Sequence, residues 1–301
     1  MSPQFLKRLA SALAGLLILW LGLTFFRRAG RDSTSSFQLP KVDRNAVDGV
    51  VIARATDTVR LAKQGANWTV NGLSAGPALV GQLFDAMADT AAQSELIAES
   101  ASSHDRLGID SAKARRLSFR QGDKTVAELL IGSRGGNFES AYVRSPGQNA
   151  VYQIKGRLIE YAERSVDDWR NKRIVEIQPD SVATVEVQVG KKGYTLARAD
   201  KSWTLNGGPA DSASVANLLN QFKTLDAAGF ATAAQADSAN FAAPDKLIRL
   251  KAAGDRPLAV LAVDSTAAGF WVRREGDPTV FRIDSWILNQ LAPIDSTLRK
   301  K

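Results

Sequence analysis

The chain has 301 residues, 45% of them hydrophobic and 23% charged, a composition that suits one large folded domain or two of ordinary size. Its formal net charge is +8, but the excess sits at the ends: residues up to 44 carry +5, Arg299, Lys300 and Lys301 carry +3, and the body between is neutral. A nucleic-acid groove needs its basic stripe on the folded body, so no nucleic-acid partner is expected; with no cysteine and one histidine, zinc fingers, iron–sulfur centres, thiol nucleophiles and disulfide frameworks are also excluded within this chain.

Residues 1–8 form a short tail bearing Lys7 and Arg8. From Leu9 to Phe26 no residue is charged, and at about 1.5 Å per residue these positions span about 27 Å, close to the hydrocarbon thickness of a bilayer. Charges bracket the run on both sides. Arg27 and Arg28 stand where small residues should precede a signal-peptide cut, so the segment reads as an uncleaved signal-anchor contacting the membrane. With both flanks basic, the positive-inside count does not decide orientation. A tail of eight residues with two cationic side chains is the form retained in the cytoplasm. The expectation is a single-pass protein of the bacterial cytoplasmic membrane, with most of the chain on the extracytoplasmic, periplasmic side. Residues 27–44 read as a spacer, small and polar from Ala29 to Pro40.

The body repeats itself. Residues 58–72 (TVRLAKQGANWTVNG) align with 193–207 (GYTLARADKSWTLNG) at a shift of 135, which also carries Val80, Leu83, Phe84 and Met87 onto Val215, Leu218, Leu219 and Phe222. Further on the shift shrinks to 129, where Val143 and Arg144 meet Val272 and Arg273. Such agreement marks a tandem duplication, with repeat 1 at 45–178 and repeat 2 at 179–298.

Within each copy, alternation predicts strands at 47–52, 58–62 and 68–70, with turns at Asn71-Gly72 and Asn206-Gly207-Gly208. One amphipathic helix follows in each, its apolar residues at i, i+3, i+4 and i+7, with Ser74 or Pro77 and Asp211 or Ser212 as start signals. Strands return at 115–120, 125–131, 141–145 and 150–154, and at 246–251, 258–263, 270–274 and 279–283. Short helices close the copies near 156–163 and 285–291. The predicted fold class is α+β: two tandem homologous domains, mainly antiparallel sheet with one amphipathic helix each, after an N-terminal transmembrane helix.

An ordered set of features runs through the copies. It comprises a Trp-x-Val/Leu-Asn turn, a helix, Leu107-Gly108-Ile109-Asp110, Ile131-Gly132, Tyr142-Val143-Arg144, a Val-Tyr-x-Ile strand at 151–154 and the joining segment DDWRNKRIVEI at 167–177. Over about residues 40 to 290 this order resembles the bacterial domain-of-unknown-function 4340 family. The second copy departs from it, with Phe241-Ala242-Ala243-Pro244 in place of Leu-Gly-Ile-Asp and Val263-Asp264 in place of Ile-Gly. The resemblance implies a membrane-anchored extracytoplasmic protein associated with the permease and auxiliary subunits of gliding-motility-type ABC transporters. It brings no catalytic residues with it.

The candidates for chemistry are few, and no catalytic, cofactor-binding or metal-binding residue is assigned. His104, beside Asp105, reads as an exposed loop histidine rather than half of a catalytic dyad. Asp167, Asp168, Arg170, Lys172 and Arg173 around Trp169 read as a charged helix end joining the domains, with Trp169 packed between them; two adjacent carboxylates supply too few oxygens for calcium. The glycines of IGSRGGNF (131–138) lack the Gly-Lys-Ser/Thr ending of a phosphate loop and read as a hairpin. Tyr142 with Arg144, and Trp271 with Arg273, share a strand face and are the expected partner surface, because aromatic and Arg side chains dominate binding hot spots. The expected function is a binding or accessory subunit of an ABC-type transport or motility assembly, with transporter subunits as partners; the alternative is a cell-envelope glycan-binding module or hydrolase.

Overall fold

The computed structural model describes Trp20 and residues 37–89, 94–200 and 202–300. The span expected in the membrane, 9–26, lies outside the described residues apart from Trp20. Among the described residues no helix is long and apolar enough to cross a membrane. The chain divides into two compact units, Met1–Trp169 and Arg170–Lys301.

In the first unit β1 (Gly49–Ala53), β2 (Thr58–Gln64), β3 (Asn67–Val70) and β4 (Leu73–Ser74) lead into the helix Pro77–Ala88. Then come β5 (Ser94–Ala98), β6 (Arg115–Gln121), β7 (Lys124–Arg134), β8 (Ser140–Arg144) and β9 (Val151–Lys155), and the short helix Leu158–Glu163. These nine strands form one antiparallel sheet in the order β4-β3-β2-β1-β6-β7-β8-β9-β5. The second unit opens with β10 (Arg173–Val175), followed by β11 (Thr184–Val189), β12 (Lys192–Ala199), β13 (Ser202–Leu205), β14 (Gly208–Pro209) and the helix Ser212–Gln221. After β15 (Leu225–Asp226), β16 (Gly229–Phe230) and a short helix at Ala233–Ser238, the chain continues through β17 (Lys246–Lys251), β18 (Pro257–Thr266), β19 (Gly269–Arg274) and β20 (Val280–Ile283) to the helix Ser285–Leu291. Its sheet runs β14-β13-β12-β11-β17-β18-β19-β20-β16, strand for strand the order of the first. From Arg170 on, the joining segment belongs to the second unit, where β10 pairs with β15. The unit boundary therefore falls ahead of the 178/179 division read from the repeat.

The local chemistry of the two copies explains why they fold alike. At both β3–β4 and β13–β14 the turn residues take positive φ, Asn71 at 47° and Gly72 at 83°, Asn206 at 50° and Gly207 at 84°. This is the tight hairpin turn that Asn-Gly favours. The Asn71 side-chain oxygen then accepts from Arg60 N–H at 2.7 Å, and Asn206 accepts from Thr195 N–H at 2.9 Å. The helix Pro77–Ala88 starts with Pro at its first turn, where a missing N–H costs nothing. Its counterpart is capped by Asp211, whose carboxylate accepts from Ser214 N–H at 2.8 Å. The predicted stripes are buried as expected: Val80, Leu83, Phe84 and Met87 in one core, Val215, Leu218, Leu219 and Phe222 in the other.

Each of these cores lies between one sheet face and the two helices laid over it. In the first, Val50, Ile52, Leu61, Leu117, Phe119 and Val143 are 2% exposed or less. Trp169, expected between the domains, belongs to this core, with its ring 6.1 Å from that of Tyr161. A smaller cluster of Leu107, Ile109, Ala114, Leu130 and Val151 stands apart from it, and Tyr142 packs against that cluster.

Candidate functional site

The partner surface expected from the sequence resolves into a clamp. Along β8, Ala141 and Val143 join the main core, while Tyr142 joins the cluster around Leu107 and Ile109. Arg144 donates from Nη2 to the Ile109 carbonyl at 3.1 Å and from Nη1 to the Gln148 carbonyl at 2.9 Å. Its donors thus tie the Leu-Gly-Ile-Asp loop to the turn after β8. Burial and neighbouring Arg116 pull the guanidinium below its ordinary pKa, with Asp110 opposing. Beneath the loop, Gly132 lies on β7. A Cβ there would come 2.6 Å from the Leu107 carbonyl oxygen, so only glycine admits this approach.

In the second unit Trp271 is fully buried, its indole N–H donating to Thr266 at 2.8 Å, and so it presents no surface. Arg273 is exposed, but its guanidinium sits 4.6 Å from the centroid of the Phe241 ring. Phe241 opens the segment that replaces Leu-Gly-Ile-Asp. Both arginines therefore engage the same loop of their own copy, one through carbonyls and one through a ring. The aromatic–Arg pairs pack within their own copies: Trp271 is buried, Tyr142 and Arg144 are half-buried, and Arg273 is exposed.

On the helical face each unit carries a groove. In the first it encloses about 620 Å³ and is lined by Gln82 and Asp85 of one helix, Tyr161 of the other, and Lys155 and Arg157 at the end of β9. In the second it encloses about 440 Å³ and is lined by Asn217, Asn220 and Gln221 of one helix and Asn289 and Gln290 of the other, over Leu218 and Leu298. The shift of 135 places Asn217 and Asn220 at the positions of Gln82 and Asp85. The grooves correspond in place, but one lining is charged and the other carries only neutral amides and hydroxyls among its polar groups. Sequence reasoning missed both, because it followed the apolar stripes, and the groove residues are their polar neighbours.

The family model described as Domain of unknown function (DUF4340) matches residues 68–244, more than half of the chain, from β3 of the first unit into the Phe241–Pro244 segment of the second. The chain belongs to this family. No curated protein and no solved structure matches it. Within this DUF4340 chain, Leu-Gly-Ile-Asp, Ile-Gly and Tyr-Val-Arg, which lie inside the matched range, are the parts of the loop clamp just described. They are packing residues.

The remaining candidates also serve the fold. His104 is buried, at 8% exposure, where the sequence suggested an exposed loop; the loop folds back onto the β8–β9 turn, and Nε2 bonds the Asn149 carbonyl at 2.9 Å. Its neighbour Asp105 pairs with Lys113 at 2.6 Å, and that carboxylate holds the ammonium above its ordinary pKa. Asp168 bonds the hydroxyl and N–H of Ser165, and Arg173 bonds Asp226 at 2.5 Å. The glycines of 131–138 lie at the end of β7 and in the hairpin loop that follows, where Gly136 N–H donates to Gln153 at 3.2 Å.

Proposed function

We propose that this DUF4340 chain is a membrane-anchored binding protein, its two sheet domains held on the extracytoplasmic side of the bacterial cytoplasmic membrane. It works as an auxiliary subunit of an ABC-type transport or motility assembly. The observation that carries the binding role is the pair of grooves. One fold occurs twice, keeps a groove at the same place between its helices, and has changed the charge of the lining from one copy to the other. Core residues hold the two copies alike, whereas the lining is free to follow different ligands or partners. The uncharged run from Leu9 to Phe26 supports the anchor, and tethering raises the effective concentration of both domains near membrane partners without any catalysis. The transporter assignment draws on the family resemblance.

Isolation of the full chain in mild detergent should recover transporter permease or auxiliary subunits with it. Recovery of the chain alone under several gentle conditions would overturn the assignment. A reporter fused to the C-terminus tests the placement separately: activity of a periplasm-dependent reporter is expected, and activity of a cytoplasm-dependent one reverses the orientation.

A further inference from the structure

The groove of the second unit has a chemistry that the first lacks. Its walls present Asn217, Asn220, Asn289 and Gln290, and no residue lining it is titratable. Among the described residues the side-chain amides of Asn220, Asn289 and Gln290 make no hydrogen bond within the protein, so their donors and acceptors face solvent. A carboxamide offers a donor pair beside an acceptor, the complement of two neighbouring hydroxyls. Of the charges beside it, Asp295 and Arg299 neutralise one another at 2.8 Å, and the Asp211 carboxylate is turned to the helix start, where it accepts from Ser214 N–H at 2.8 Å.

A second observation points the same way. Trp286 is 57% exposed on the helix Ser285–Leu291. It precedes Asn289 and Gln290, which line the groove, by three and four residues, which puts all three on one helical face. An exposed indole beside a row of free carboxamides is an aromatic platform next to a hydroxyl-reading edge. Ile294, 69% exposed, extends the apolar border just past Pro293. An exposed tryptophan gives up apolar area to water unless something covers it.

We infer that the groove between the Ser212–Gln221 and Ser285–Leu291 helices is a binding site for a neutral glycan chain, with Trp286 stacking on the C–H face of a sugar ring and Asn220, Asn289 and Gln290 bonding its hydroxyls. The inference rests on the binding role proposed above and names the ligand class of one of its two grooves. The first unit's groove, with Asp85, Lys155 and Arg157, does not share the assignment.

The test uses the full chain in mild detergent, titrated with cellotetraose, maltotetraose and the tetramer of N-acetylglucosamine, and followed by calorimetry and tryptophan fluorescence. At least one sugar is expected to bind with a fluorescence change, and binding should hold between about pH 5 and 8 and at high salt because no ionised group takes part. Trp286→Ala should weaken it about tenfold or more, Trp286→Tyr should restore most of it, and Asn220→Ala or Asn289→Ala should each cost about three- to tenfold. Lys63→Ala, exposed on β2 and outside both grooves, should change nothing. A circular dichroism spectrum confirms folding of each variant.

No binding of any of the three up to about 10 mM, or binding indifferent to Trp286→Ala, overturns the inference. So does Trp286-dependent binding of a neutral alanine peptide in place of the sugars. If sugars fail while transporter subunits still co-isolate, the glycan assignment falls and the accessory role stands. If a chain that isolates alone binds sugar through Trp286, the accessory role falls and the glycan assignment stands.

Discussion

The two units carry the same sheet but pin the same loop in opposite ways. In the first, the chain from Leu107 to Asp110 crosses β7 so closely that Gly132 must lack a side chain, and Ser133 N–H donates directly to the Leu107 carbonyl at 3.0 Å. In the second, Asp264 stands where Gly132 would be, and its carboxylate accepts from Asn240 N–H at 2.9 Å. Ser265, the counterpart of Ser133, donates to the carboxylate of Asp245 at 3.0 Å. A backbone-to-backbone approach has been replaced by two carboxylates that reach across a wider gap. The polar groups of a buried crossing must find partners; a glycine permits one solution and an acidic side chain another.

The sharpest way to break this comparison is Gly132→Ala. The added Cβ meets backbone oxygen at 2.6 Å, and backbone cannot swing aside as the end of a side chain would. Overpacking of this kind costs about 3 kcal/mol. Urea unfolding should show the loss in the first unit's transition alone, and hydrogen exchange at 107–110 should quicken. Unchanged exchange there would mean that the close crossing contributes nothing and that the two loops are not alternatives to one another.

Much of the fold is legible in the residues, for identifiable reasons. A period of 3.6 in Val80, Leu83, Phe84 and Met87 reports directly which helical face is buried. Asn71-Gly72 names its own turn, and the repeat carries both readings into the second copy. Less legible is what covers the other face of a strand. Tyr142 and Arg144 alternate away from the core as expected, but nothing in that alternation says that a loop more than 30 residues earlier lies over them. By sequence Gly132 belongs to a glycine-rich hairpin, yet it lies within a strand and is glycine because of a partner distant along the chain. The same limit hides the amide groove, whose two walls are about 70 residues apart. The shortest strands, β4, β10, β14, β15 and β16, escape because two or three residues carry too little pattern.

Asp264→Ala is the milder counterpart of Gly132→Ala. It removes a buried acceptor that takes one backbone N–H, and such charge-assisted bonds are worth about 1.5 kcal/mol. Because Asn240 is exposed, water can replace the lost partner, which keeps the cost below that of the glycine change. Asp264→Asn, which retains an oxygen acceptor, should lose about half as much. Faster exchange confined to 240–245 is the expected signature; an equal loss from Asn and Ala would show that the charge, rather than the acceptor, holds the loop.

The smallest effect carries the opposite sign. Val59 in the first unit and Tyr194 in the second occupy equivalent places, both inside a core, and the shift of 135 relates them. Val59 brings no polar group. The Tyr194 hydroxyl is buried with no hydrogen-bond partner among the described residues, and burial, then Asp295, pushes its pKa above the ordinary 10.0. Tyr194→Phe keeps the ring packing and removes the stranded hydroxyl, so it should leave stability unchanged or raise it by up to about 1 kcal/mol. The pH dependence separates this cause from a general packing gain. The raised value means that the unfolded chain releases the phenolic proton near 10.0 while the folded chain still holds it, so the wild type loses stability as the pH climbs past that point. The variant has no proton to release, and its advantage should widen in alkaline solution. A gap between the two chains that stays constant from neutral pH to above 10.0 would mean that the hydroxyl reaches solvent in the folded state, and would remove this difference between the two cores.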